Sequence, residues 1–262
     1  MDLLSDTLEK YNAVSLSEMD TVKLMNRTET KYVFAASQLP HILEGLSSDY
    51  HMLEIDGIRR SAYTTVYFDT EELKFYHEHH NGKLSRQKIR IRKYMDSDQA
   101  FIEVKTKNSK GRTIKKREKE AALSAILSEN AAAFVTKHVE IDPKAISAKL
   151  WNSYRRITLV NLRSKERVTL DLDLEFIHEG EKVKVHEIVI GEVKQEKYNV
   201  NSSFIQQMRS FHIRSMSMSK YCLGSVLLKK EMNSKAFKEG LKYNKFKEKV
   251  LTIDKIKNGS SQ

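Results

Sequence analysis

Eight short segments of this chain alternate apolar and ionic residues with a period of two, and most put Lys or Arg on the ionic side. They are Arg27–Tyr32, Lys88–Arg92, Phe101–Lys107, Thr113–Arg117, Tyr154–Ile157, Arg167–Phe176, Val183–Glu187 and Gly191–Lys194. Period two sends successive side chains to opposite faces, which is the signature of a strand. A half-solvated antiparallel sheet also alternates in this way. A solvated face, however, mixes both signs of charge, and here the cations dominate. Several amphipathic helical stretches are available to cover the apolar faces. A long antiparallel sheet tends to close and so remove its edges. With helices packed outside, the ionic face becomes the interior. The expected fold is therefore α+β, a closed antiparallel β tunnel of about eight strands with a cationic lumen.

So many buried cations cannot stand without counter-charge. The lumen must be wet, or filled by an anion such as a triphosphate or polyphosphate. Arg offers a fork to phosphate oxygens and Lys a point charge. The acids Glu29, Glu103, Asp171, Asp173 and Glu192 offset part of the charge. One or two of them suit Mg²⁺ or Mn²⁺, which take oxygen ligands.

The net charge of +11 over 262 residues is uneven. Residues 229–262 carry ten Lys and four acids, so this basic tail forms an element apart from a nearly balanced body. One cysteine, Cys222, rules out an internal disulfide, fits a reducing cytoplasm and reads as a buried small hydrophobe. No apolar run reaches the ~18 residues of a membrane span. The acidic start, Met1 to Asp6, does not read as a secretion signal. The organisation expected is a lead-in over 1–21, one domain over 22–228 and the tail over 229–262.

Within the domain, strands are expected at 62–69, 86–94, 100–107, 153–162, 167–177 and 182–195, besides those at 27–32 and 113–117. Asn81-Gly82, Asn108 to Gly111 and Glu179-Gly180 mark turns. Helices are expected after Ser37 as N-cap, over 118–138, from Pro143 to Leu150, after Ser202 or Ser203, and from Ser219 to Lys230. His77, His79 and His80 read as a polar loop or hairpin end, since no cysteine or second ligand cluster accompanies them. Asp69 either ends its strand or orients a tunnel cation. Met216 and Met218 read as packing residues. No glycine-rich phosphate cradle is present.

In order along the chain, several motifs resemble the catalytic domain of the vacuolar transporter chaperone (VTC) polyphosphate polymerases, a branch of the triphosphate tunnel metalloenzymes. They are Arg27-Thr-Glu29-Thr-Lys31-Tyr, Tyr67-Phe-Asp69-Thr, Arg90-Ile-Arg92, Phe101-Ile-Glu103-Val-Lys105, Gly111-Arg-Thr-Ile-Lys115-Lys-Arg117, Tyr154-Arg-Arg156, Arg167-Val-Thr-Leu-Asp171, Glu192-Val-Lys194 and Ser219-Lys220-Tyr221. The resemblance spans about residues 22–228. It implies a closed tunnel in which Lys31, Arg90, Arg92, Lys105, Lys115, Arg156, Arg167 and Lys220 act on ATP and polyphosphate. It further implies substrate contacts from Glu29, Glu103, Lys107, Lys194 and Ser219, and a Mn²⁺ or Mg²⁺ ion on Glu192. Arg155 competes with Arg156 for the inward position. Arg27 stands where the related tunnel hydrolases carry a first Glu, which favours an anion-binding, polymerase-like site.

The expected activity is metal-dependent transfer of the ATP γ-phosphate onto a growing polyphosphate chain. The alternatives are a triphosphate hydrolase of the same fold and a non-catalytic polyphosphate or nucleic-acid binder. No specific nucleic acid is expected as partner. The place expected is the cytoplasm, with membrane association through the basic tail or a membrane-protein partner, and export of the product would require such a partner.

Overall fold

The computed structural model describes residues 3–20, 22, 28–109 and 113–228. Arg27, Gly111 and the basic tail over 229–262 lie outside these residues. Helices are α1 (Leu3–Glu9), α2 (Leu16–Asp20), α3 (Leu39–Glu44), α4 (Lys74–His80), α5 (Glu129–His138), α6 (Ser203–Ser210) and α7 (Lys220–Leu228). Strands are β1 (Ala13–Val14), β2 (Thr28–Ala35), β3 (His51–Leu53), β4 (Ser61–Asp69), β5 (Arg86–Tyr94), β6 (Gln99–Lys107), β7 (Thr113–Glu120), β8 (Ser147–Asn161), β9 (Glu166–His178), β10 (Glu181–Val185) and β11 (Ile188–Gln195). The class is α+β, built on one large sheet in the order β2-β11-β9-β8-β4-β5-β6-β7. Every neighbouring pair on that path is antiparallel. A short β1–β3 pair is parallel and joins through β8.

Each strand divides its residues between two faces. On the convex face Tyr32, Phe34, Leu159, Leu170 and Val189 pack under α1, α3 and α6. Further along the same face Val66, Ile89, Ile91, Ile102 and Val104 pack against Ala131, Phe134 and Val135 of α5. The concave face is ionic over much of its length. Its other end is filled by an apolar cluster of Leu150, Leu174, Phe176, Ile188 and Ile190 with Tyr221, Cys222 and Leu223 of α7. Met216 and Met218 pack against that cluster, and Cys222 is buried within it, as expected. Gly224 lets α7 approach closely, because a methyl there would overlap the Phe176 ring and stand 2.8 Å from Leu150 Cδ2.

The sheet does not close through its backbone among the described residues: β2 and β7 stand at the two ends of the strand order. It curls until Lys105 of β6 reaches Glu29 of β2, with Nζ 3.3 Å from the carboxylate. A side-chain ion pair thus takes the place of the expected last ladder on that side. β7 is exposed over nearly its whole length and carries Lys, Arg and Glu, a composition that discourages further pairing at an edge.

Some expected elements shift. The helix expected over 118–138 starts only at Glu129, because β7 continues its register with β6 to the Ala100–Glu120 pair. Ser128 then caps α5, its side chain accepting from Ala131 N. Pro143–Ala145 is a single 3-10 turn, and Leu150 lies in β8, where it joins the concave core. The strand expected over 182–195 is two, β10 and β11, which pair in succession with β9. Ser37 lies within a 3-10 turn, and Gln38 takes the N-cap position of α3. The histidine segment forms α4, a helix rather than a loop. Glu179 and Gly180 both have positive φ, 48° and 82°, the conformation of a tight two-residue hairpin turn.

Candidate functional site

Strand register decides which cations share the concave face. Lys31 lies opposite Glu192 and Glu29 opposite Lys194. Arg90 lies opposite Glu103, and Lys105 opposite both Lys88 and Lys115. Arg156 lies opposite Asp171, and Arg167 opposite Lys194. α7 brings Ser219 and Lys220 against these strands from the apolar end. The site residues expected from sequence therefore converge on one surface, except as noted below.

Four carboxylates organise the cations. Glu103 is buried and takes Arg90 (Nη2 to Oε2, 2.6 Å) and Lys115. Asp171, also buried, receives Arg156 through two bonds of 2.5 and 2.8 Å, and Lys220 as well. Glu192 lies 3.0 Å from Lys31 and 2.6 Å from Lys194. Glu29 contacts Lys105 at 3.3 Å and Lys31 at 3.7 Å. These are charge-assisted contacts, and those on buried Glu103 and Asp171 have little water to compete.

The electrostatics follow from this packing. Burial opposes the charge on Glu103, but Arg90, Arg92 and Lys115 hold it well below the usual carboxylate range. Burial likewise opposes Asp171, and Arg156 and Lys220 outweigh it. Burial and the Glu192 charge push Glu29 up, yet Lys105, Lys31 and Lys194 bring it down to about 2. Three lysines bear the cost of crowding, and burial lowers Lys220 as well despite Asp171. Burial, with Arg90 and Arg92 adding repulsion, lowers Lys115 to about 7 despite Glu103. Burial, then repulsion from Lys105, Arg90 and Lys31, lowers Lys88 to about 7, with Cys222 offsetting a part. Burial, with Arg156 and Arg167 adding repulsion, lowers Lys194 to about 8 despite Glu192. This surface is short of negative charge, and an added polyanion would relieve it.

Tyrosines underlie the cations. Tyr63 and Tyr154 stack with centroids 5.2 Å apart. Arg156 lies over both rings at 5.2 and 5.4 Å, and Lys220 lies 4.6 Å from the Tyr154 centroid. Arg92 lies over the same two rings at 5.8 and 6.0 Å. Such stacking holds the guanidinium planes in place.

Arg156 rather than exposed Arg155 faces inward. Asp173 leaves the set: it has a φ of +53°, its side chain is 42% exposed, and it sits 3.5 Å from His186. A register irregularity between Ser153 and Arg155 accompanies that kink. Lys107 lies half-buried at the far end of β6, beside Arg86 and Thr113. Arg167 sits at the β9 margin, with Nη1 3.9 Å from Met19 Sδ.

Lys88 belongs to the period-two segment Lys88–Arg92 but is not among the expected site residues. It donates to Ser219 Oγ at 2.8 Å, and its place two residues before Arg90 was the signal for it. Asp69 does not orient a cation. Its carboxylate accepts from the backbone N–H groups of Thr70, Phe75 and Tyr76 at 2.8–2.9 Å and from Tyr221 Oη at 2.7 Å. It thereby ties the start of α4 to α7, and with it Ser219 and Lys220.

Glu29 and Glu192 flank Lys31 and present hard oxygen donors of the kind Mg²⁺ and Mn²⁺ accept. Among the described residues no group of three or more His, Cys, Asp or Glu side chains converges. A divalent ion here would complete its shell with phosphate and water oxygens, as Mg²⁺ commonly does. The donor set fits on those terms. No helix among the described residues is long and apolar enough to cross a membrane.

The family model described as the VTC domain matches residues 26–229. No curated protein sequence matches the chain. Among solved structures, a candidate adenylate cyclase from Bacillus halodurans is 12% identical, with a TM-score of 0.48 over 74% of this chain and 96% of that one. A Hippeastrum protein, described as a candidate adenylyl cyclase with dominant triphosphatase activity, is 13% identical, with a TM-score of 0.47 over 77% and 96%. A protein from Pyrococcus horikoshii is 13% identical, with a TM-score of 0.45 over 78% and 99%.

Proposed function

This chain belongs to the VTC domain family, and from that premise we propose that it transfers the γ-phosphoryl group of ATP onto a growing polyphosphate chain. The observation that carries the reading is the excess of cations on the concave face. Lys88 and Lys194 are crowded down to about 7 and 8 there, a strain that a bound polyanion would relieve. In this reading Lys31, Lys88, Arg90, Arg92, Lys105, Lys115, Arg156, Arg167, Lys194 and Lys220 bind and orient the phosphates. Ser219 adds a hydroxyl contact at the start of α7.

The γ-phosphorus bond to the β-bridging oxygen breaks, a bond to the terminal oxygen of the chain forms, and ADP leaves. Such transfer needs positioning and neutralisation of the charge on the moving group more than a protein nucleophile. The arginines held over Tyr63 and Tyr154 supply positioning, because their planes are fixed before the ligand arrives. Glu192, with Glu29 beside it, would hold a Mg²⁺ or Mn²⁺ ion, which neutralises phosphate oxygens when bound.

A second reading, triphosphate hydrolysis, is favoured by one observation: α7 and Phe176 fill one end of the concave face and leave less room there for a long acceptor. The test is incubation with ATP and Mn²⁺ or Mg²⁺, resolving polyphosphate on a gel and assaying free phosphate in parallel. Long chains with ADP support the polymerase. Free phosphate without chains moves the assignment to the hydrolase. Neither product, with polyphosphate still bound, leaves a binding module.

A further inference from the structure

One stretch of the concave face has no use for phosphate. Phe101 and Tyr94 lie on it, half-buried, next to the cations. Register fixes their place: Phe101 is directly opposite Arg92, and Tyr94 directly opposite Tyr63. The two rings meet edge to face with centroids 5.8 Å apart, and Tyr94 continues to Tyr63 at 5.0 Å. From the exposed strand β7, the Arg117 guanidinium lies 4.9 Å from the Phe101 centroid. No carboxylate among the described residues pairs with Arg117.

A polyphosphate chain offers neither an apolar face nor a π system, so it gives no reason to keep a hydrocarbon ring at a partly open position among cations. Elsewhere on this face the rings of Tyr63, Tyr67 and Tyr154 are buried beneath the arginines and serve as their supports. Phe101 has no hydroxyl, is only half-buried, and is covered by a guanidinium that is itself exposed. Arg planes and aromatic faces are the two surfaces on which nucleobases stack.

The spacing also fits a nucleotide. Phe101 is four residues from Lys105 along β6, about 13 Å at strand rise. An extended triphosphate with its ribose bridges such a span. Phosphates near Lys105, Lys88 and Arg90 would place the base at Phe101.

We infer that Phe101 and Arg117, backed by Tyr94, form the platform on which the base of the nucleoside triphosphate stacks. This rests on the triphosphate-binding reading above and adds what selects a nucleotide over an inorganic polyphosphate. Tripolyphosphate uses the cations alone, and ATP uses the cations and the platform.

The test compares ATP and inorganic tripolyphosphate binding to the 262-residue chain by calorimetry, for the wild type, Phe101→Leu and Phe101→Tyr. Phe101→Leu keeps apolar bulk in β6 and removes the aromatic face. It should weaken ATP by about tenfold, the scale of losing one base stack, while tripolyphosphate changes by less than about twofold. Phe101→Tyr keeps the ring and should restore ATP affinity. Equal weakening of both ligands by Phe101→Leu would show a structural role and overturn the platform, and so would an unchanged ATP affinity. Failure of the wild type to bind tripolyphosphate would overturn the triphosphate reading itself and the platform with it. Wild-type binding of tripolyphosphate without the selective loss in Phe101→Leu would overturn the platform alone.

Discussion

The crowding of Lys88, Lys115 and Lys194 makes ligand binding a proton-uptake reaction with a calculable stoichiometry. With pKa values of about 7, 7 and 8, Lys88 and Lys115 at pH 8 are each about nine-tenths neutral and Lys194 about half neutral. A bound triphosphate returns all three towards the ordinary lysine range, because the opposite charge favours the ammonium form. Binding at pH 8 should therefore take up about 2.3 protons, and at pH 6, where these lysines are already mostly charged, about a fifth of one. Tripolyphosphate titrations at pH 8 in buffers of different ionisation enthalpy read this number directly, without turnover. Lys88→Met removes about nine-tenths of a proton and should leave an uptake of about 1.4. An uptake near zero at pH 8, or one unmoved by Lys88→Met, would refute the placement of these amines in the phosphate site.

Other expectations follow from the same contacts. Before ligand is added, Lys88, Lys115 and Lys194 have folded-state pKa values below their unfolded value of ~10.4, so the unfolded chain binds more protons above pH 7. Stability should thus rise from pH 7 to 9, seen as a higher urea midpoint, and a fall would contradict the assignment. Glu192→Gln should abolish turnover while leaving tripolyphosphate affinity equal or tighter, since a negative charge leaves the site; retained turnover would remove Glu192 as the metal ligand. Gly224→Ala should cost about 1–3 kcal/mol in urea unfolding, the range for overpacking a filled core, because the added methyl meets Phe176 and Leu150. Tyr221→Phe should cost about 1–3 kcal/mol through the bond lost by buried Asp69, and unchanged stability would show that this bond does not anchor α7.

The period-two segments were legible because strand alternation needs only local sequence. It placed Lys31, Arg90, Glu103, Lys105, Asp171 and Glu192 on one face, and the register confirms that they share it. Local pattern failed where long-range pairing overrode it. Residues 118–120 have helical composition yet stay in β7, because β6 offers a ladder up to Ala100. Asp173 keeps the alternation on paper, but a left-handed residue in β9 turns it out of the set. Nor could Asp69 be assigned from its strand, since its partners are the first turn of α4 and Tyr221, 152 residues away in sequence. Whether the last ladder would form was beyond the pattern too, for β2 and β7 are both strand-like and only three-dimensional curvature decides whether they meet.

The packing of Gly224 on Phe176 bears on traffic as well as on stability. A concave channel stopped at one end by a helix is a cul-de-sac rather than a pipe. A polymer lengthened in its depth must retreat along the route by which the next nucleotide arrives. Donor and product would then contend for one doorway, and each addition would wait for the chain to slip outward. Under the proposed activity the number of phosphates added per encounter would be set by that slippage, and loosening α7 would change chain length before it changed the chemistry.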